Sequence, residues 1–236
     1  MHQKYPELPN DDRICLYGIL DGHGGRSIAE AVSQIFPDKL VSALTRSGKL
    51  KTTTKAVTKA LEIAFAETES SVLQMAESSN CGCCAVIALI INNNVHVANL
   101  GDSKAVLCRQ LKPSLTADEI SKKIIVSNED VAGSGAAGVH RGSSQHHSFP
   151  WTRGNIPPPI PAECVRLTID HRPTLPPEKD RVIGCGGSVE NGRIVAPPDS
   201  ITGLQQSIGV ARSFGDKYMK RWVWLCVSGR CQCVCV

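Results

Sequence analysis

At 236 residues with a net charge of +4, 42% hydrophobic and 20% charged side chains, the chain reads as one globular domain able to bury a substantial core. The small, dispersed positive charge, with no aromatic-interleaved basic patch, argues against nucleic acid as a partner. No run reaches the roughly 18 apolar residues of a membrane span, and the stretch Met1–Pro6 has no apolar core of a secretory signal.

The first predicted element is a strand over the apolar run Ile14–Leu20, which feeds directly into Asp21-Gly22-His23-Gly24-Gly25. Such a strand carries a carboxylate and an imidazole to the rim of a sheet. The glycines let the backbone come close to whatever binds there. An aspartate beside an accessible backbone carbonyl suits a hard divalent cation that takes oxygen ligands. Next, Ile28, Ala31, Val32, Ile35, Leu40, Val41 and Leu44 recur at helical spacing between Arg26 and Thr45, with Pro37 expected to break or kink the run. Val57, Ala60, Leu61, Ala64, Phe65, Val72 and Met75 form the apolar stripe of a second, clearer helix.

The period then changes. Cys84–Ile91 predicts a buried strand, Asn92–Asn94 a turn, and Val95–Leu100 the returning strand. Gly101-Asp102-Ser103 turns again into Lys104–Cys108, so the three strands predict an antiparallel meander. Residues 113–161, with Gly133–Gly138, His146-His147 and Pro157–Pro159, lack periodicity and read as a long, exposed insertion. Cys164–Thr168 is the next strand; Pro177 opens a short helix over Glu178–Ile183, ended by Gly186-Gly187. Asn191-Gly192 reads as a hairpin turn, and Ile208–Asp216 as a strand entering a Gly-Asp corner.

The 11 cysteines include two clusters, Cys81, Cys83 and Cys84 near a strand start and Cys226, Cys231, Cys233 and Cys235 in the tail. Neither has the paired C-x2-C spacing of a zinc site, so reduced thiols are expected.

Six segments stand in a telling order: Asp21–Gly25, Gly82–Val86, Val97–Leu107, Leu167–Pro173, Glu178–Gly187 and Gly209–Asp216. In that order the chain resembles the metal-dependent serine/threonine protein phosphatases of the PP2C (PPM) family, over roughly residues 13–221. The resemblance implies an α+β fold, a PP2C-like sandwich of two antiparallel β-sheets flanked by α-helices, incomplete here at the C-terminus. It also implies two Mg2+ or Mn2+ ions whose bridging water attacks phosphoserine or phosphothreonine in a protein substrate. By position, Asp21 resembles the metal-bridging aspartate, and Gly22 the residue lending its carbonyl to one ion. His23 resembles the general acid that protonates the leaving alkoxide, a task suited to a group titrating near neutrality. Asp102 resembles an aspartate that helps hold a further, weaker metal; read alone, Gly101-Asp102-Ser103 is also a good tight turn. Asp170 and Asp216 read equally well as a cap and a turn acceptor and are left out of the site.

Two departures stand beside the resemblance. Asn10-Asp11-Asp12-Arg13 does not match the family's phosphate-holding arginine and acidic pair. After Asp216 the family continues with Ser-Asp-Gly and Asp-Asn segments that each add a metal-binding aspartate, whereas here a Cys/Trp-rich tail runs from Trp222 to Val236. The expectation is a partial phosphatase domain over residues 1–221, truncated at both ends. Its tail, 222–236, is then the product of a frameshift, a retained intron or a misjoined gene model. Lost C-terminal strands are expected to leave sheet edges bare. Two functions follow: a metal-dependent protein serine/threonine phosphatase with weak or no turnover, or a non-catalytic pseudophosphatase serving as an interaction module. A monomer in the cytoplasm or nucleus is expected, without membrane or nucleic acid.

Overall fold

The computed structural model describes residues 14–46, 50, 52–91, 93–110, 162–198, 203, 205–220 and 232–235. The predicted insertion at 113–161, the Asn10–Arg13 segment and most of the tail lie outside the described residues.

The central sheet runs β1 (Ile14–His23), β2 (Gly82–Ile91), β3 (Asn94–Leu100) and β10 (Gln232–Cys235), with β9 (Phe214–Gly215) also pairing β2. Every pairing is antiparallel. The sequence of β2, GCCAVIALII, is almost uniformly apolar and almost uniformly buried, as a strand covered on both faces must be. One cover is helical. α1 (Ser27–Thr45) and α2 (Thr54–Val72) send Ile28, Val32, Phe36, Leu61 and Phe65 into a core shared with Ala85, Ile87 and Leu89 of β2. Phe65 is the hinge of its aromatic packing, edge-on to Phe36 at 4.9 Å and stacked on Phe214 at 5.4 Å. The other cover is a two-stranded sheet of β4 (Val106–Gln110) and β5 (Ala162–Arg166). Leu107 and Val165 pack with Leu167 onto Val86 and Val97. The architecture is therefore an α+β sandwich of antiparallel sheets with helices on one flank.

A third unit closes one end. α3 (Pro176–Gly184) starts on prolines, which need no amide partner in the first turn. It stops where Gly186 (φ 84°) lets the Gly187 N–H reach the Val182 carbonyl at 2.9 Å. β6 (Ser188–Glu190) and β7 (Arg193–Val195) form the predicted hairpin, with Asn191 and Gly192 at φ 48° and 77°, as a type I′ turn demands. β8 (Ser207–Ile208) completes this sheet, and Val182, Ile194, Ile208, Ala211 and Met219 make its core. A short helix, α4 (Lys217–Lys220), follows β9.

Three expectations change. α1 runs unbroken through Pro37: the burial of Val32, Phe36, Leu40 and Leu44 along one side outweighs the single backbone hydrogen bond that proline forfeits. The predicted meander does not form, because β4 leaves the central sheet and pairs with β5 instead. Gly101, at φ 96°, makes the departure, and its amide and carbonyl are both met by His171, at 3.1 and 2.9 Å. Ala105 then joins the second layer, donating to the Thr168 hydroxyl and accepting from Leu167 N–H. Finally, the outer edge of β3 is not bare: Gln232–Cys235 pairs with it from Asn99 to His96.

Candidate functional site

β2 organises the site because it has a different neighbour on each side. Asp21 of β1 lies opposite Cys84, and His23 lies opposite Gly82. From the other side, β9 sets Gly215 opposite the same Gly82. His23 and Asp216 thus reach round Gly82 from two strands and meet, with His23 Nε2 2.8 Å from an Asp216 carboxylate oxygen. A β-carbon at residue 82 would run into both side chains, so only glycine leaves space for the pair. Ser213 Oγ donates to the same carboxylate. Asp216 holds φ 49°, a left-handed turn that aspartate tolerates better than most residues.

Asp102 enters from the next strand. Leu100 of β3 lies opposite Ala85 of β2, and two residues on, Asp102 approaches the Cys84 thiol at 3.9 Å. Cys84 consequently stands between Asp21 on one side and Asp102 on the other. Asp21, His23, Cys84, Asp102 and Asp216 all line a single cleft of about 400 Å³, which Arg193, Gln206 and Ser207 also line. Arg193 is held by the hydroxyl and carbonyl of Ser207 at 2.8 and 2.9 Å.

The electrostatics centre on His23. Burial by itself would lower its pKa, but the hydrogen bonds to Asp216 and Cys84 and the negative charge of Asp216 overcome burial and push it up to about 10. The imidazole therefore carries a proton at neutral pH, held against the buried Asp216 carboxylate.

The sequence-predicted residues Asp21, Gly22, His23 and Asp102 come together at one end of the central sheet. Asp170 stays out of the cleft, in a rim network with Arg166, Lys104 and Arg172; Arg172 also bonds Asp102 at 3.1 Å. Asp216 is the residue that the sequence reading passed over. Its signal was there: like Asp21 and Asp102, it is an aspartate placed where a strand ends.

Two ions of the expected kind each take about six oxygen ligands. Among the described residues, no group of three or more His, Cys, Asp or Glu side chains is spaced to hold a metal ion. Asp102 is already engaged by Arg172 and Asp216 by His23, which leaves Asp21 as the one unengaged carboxylate among the three of the described cleft. That donor set does not fit a complete dinuclear centre. Among the described residues, no helix is long and apolar enough to cross a membrane.

Comparison with known proteins gives a consistent result. The family profile described as Protein phosphatase 2C matches residues 2–123 and 156–234. A protein of Oryza sativa subsp. japonica named "Probable protein phosphatase 2C 67" is 31% identical over 219 residues, covering 91% of this chain and 46% of the relative. "Probable protein phosphatase 2C 74" from the same organism is 26% identical over 222 residues, covering 92% of this chain and 41% of the relative. The chain thus spans less than half the length of these two curated relatives. Among solved structures, serine-threonine phosphatase 2C from Toxoplasma gondii superposes with a TM-score of 0.63 at 18% identity, covering 98% of this chain and 65% of that one. At that identity the likeness speaks for the fold alone.

Proposed function

The chain belongs to the Protein phosphatase 2C family, and from that premise we propose that it is a protein serine/threonine phosphatase by descent whose turnover is weak. Its substrates are phosphoserine and phosphothreonine proteins, and its cofactor is Mg2+ or Mn2+. Asp21, Gly22 and Asp102 are the residues assigned to the metal side of the site, and His23 is assigned as proton donor to the leaving alkoxide. The observation that carries this reading is the convergence of four separate segments on one cleft, with a protonated His23 held by Asp216 at its wall.

What this chain's own residues do is limited but definite. Asp216 fixes the imidazole ring and keeps a proton on it, which a group protonating an alkoxide needs. Arg193, which also lines the cleft, offers a cation to a phosphate entering it. The incomplete donor set is the reason for expecting slow turnover, since affinity for hard cations rises with the number of charged ligands.

The same shortage favours a second reading, a non-catalytic module that binds a phosphoprotein without cleaving it. A Mn2+-dependent assay on a phosphopeptide, with Asp21→Asn as the control, separates the two. Phosphate release well above the control supports the enzyme; saturable peptide binding with release no faster than the control supports the module.

A further inference from the structure

Outside the cleft, the second sheet holds an arrangement that the phosphatase reading does not use. Cys108 of β4 and Cys164 of β5 are directly opposite each other, and both are exposed. Their type of pairing follows from the ladder. The Leu167 N–H donates to the Ala105 carbonyl, so the pair next beyond Val106 and Arg166 is a hydrogen-bonded one. Hydrogen-bonded and non-hydrogen-bonded pairs alternate in an antiparallel ladder. Counting inward, Leu107 with Val165 is hydrogen-bonded, and Cys108 with Cys164 is not. Non-hydrogen-bonded partners have Cα atoms about 4.5 Å apart and the closer side chains, which lies within the roughly 4.4–6.8 Å that a disulfide spans.

The side chains agree with the backbone. Leu107 and Val165 point into the sandwich, so Cys108 and Cys164, one residue along each strand, stand together on the outer face with exposed Val106. The thiols share a hydrogen bond; that bond, with the charge of Cys108, raises the pKa of Cys164. Cys83 and Cys84, by contrast, are buried.

We propose that Cys108 and Cys164 form a reversible dithiol–disulfide pair, oxidised by a low-molecular-weight disulfide such as glutathione disulfide. The Cys108 thiolate attacks one sulfur of the oxidant, making a mixed disulfide and releasing one glutathione thiolate. Cys164 gives up its proton and attacks the Cys108 sulfur, forming the protein disulfide and releasing the second glutathione. Two protein thiols lose two protons and two electrons, and one oxidant disulfide becomes two thiols. The new bond covalently ties β4 to β5, two residues before β4 ends and two after β5 begins. This inference stands apart from the catalytic reading.

The test uses the whole chain, reduced and then exposed to glutathione disulfide under native conditions, with thiol trapping and peptide mass mapping. The expected product is a cross-linked peptide pair joining Cys108 to Cys164, two hydrogens lighter than the separate peptides and reopened by dithiothreitol. It forms about tenfold faster than any disulfide involving Cys185, the exposed thiol after α3, because its partner is already in place. In Cys108→Ser or Cys164→Ser, the remaining cysteine carries glutathione and no internal bond appears. Stable glutathione adducts on both cysteines of the unsubstituted chain, or either one cross-linking elsewhere at similar yield, would overturn the proposal.

Discussion

His23 and Asp216 stand 193 positions apart in sequence, yet their side chains lie 2.8 Å apart, because β1 and β9 both end against the first residue of β2. Neither strand creates the contact alone. The Asp216 side chain serves two donors, His23 and Ser213, and it is buried, so its loss removes the acceptor that both share.

Asp216→Ala strips that acceptor and places alanine at φ 49°. The expected cost is about 3 kcal/mol, the sum of an abandoned charged hydrogen bond and a strained backbone. Asp216→Asn keeps an acceptor and a residue at ease in the left-handed region, and should lose about half as much. Urea unfolding midpoints compare the two; equal losses would show that the carboxylate's charge carries the whole contribution and that the retained acceptor and turn preference add nothing.

Gly82 makes a sharper test of site geometry. Gly82→Ala forces a methyl group into His23 and Asp216, and overpacking of this kind costs about 1–3 kcal/mol. Gly184→Ala is the counter-case, since a β-carbon there meets nothing within 4 Å and residue 184 closes α3. It should be neutral or stabilising by about 0.5 kcal/mol, from the better helix propensity of alanine. The thermal unfolding midpoint should therefore fall for Gly82→Ala and hold or rise for Gly184→Ala.

The contrast between these positions shows what the sequence could reveal. β1, the two long helices, the β2–β3 hairpin and the Asn191-Gly192 turn are all set by local signals, either a run of one period or a turn residue at positive φ. Asp21 and His23 were readable for the same reason, sitting at the end of one strong strand. Asp216 was not, because its place depends on β9, two residues long, finding β2. A two-residue strand has no period to read. The path of β4 was hidden likewise, since its partner β5 begins 52 positions after β4 ends, and only the His171 bonds to Gly101 reveal the change of layer. Pro37 misled because local propensity was weighed without the buried stripe around it.

Glu178 anchors α3 to the segment that leads into β9. It is buried beneath two arginines: Arg212 reaches it with Nε and Nη2 at 3.0 and 2.7 Å, and Arg181 at 2.7 Å. Burial alone would raise the Glu178 pKa, but the two guanidinium groups outweigh it and hold the carboxyl below its ordinary value. Glu178→Gln leaves two arginines facing a neutral amide, and the expected loss is about 3 kcal/mol, typical of breaking a buried pair from one side. Arg181 also donates to the Ala211 carbonyl at 2.7 Å, so hydrogen exchange should quicken around Ala211 before it does so in α1. Protection at Ala211 unchanged in this variant would mean that the ion pairs do not hold that segment.

His171 gives the fold an acid limit. Its ring is buried, Nδ1 accepts from the Gly101 N–H at 3.1 Å, and its carbonyl accepts from Ala211 N–H at 2.7 Å. Burial is the main cause of its lowered pKa, joined by the charges of Arg212 and Arg181 and opposed by that of Glu178, and the outcome is about 4. In the unfolded chain the imidazole takes up its proton near pH 6.5. Between those values the unfolded state binds more protons than the folded one, so stability must rise with pH across that window. The contribution is fully present above about pH 6.5 and drains away as pH falls toward 4, by about 3 kcal/mol at 1.36 kcal/mol per pH unit. His171→Asn keeps an acceptor at the δ position without a titrating ring. Its urea midpoint should lie below the parent's at pH 7 and approach it as pH falls to 4.5, and parallel pH profiles for the two proteins would sink this account.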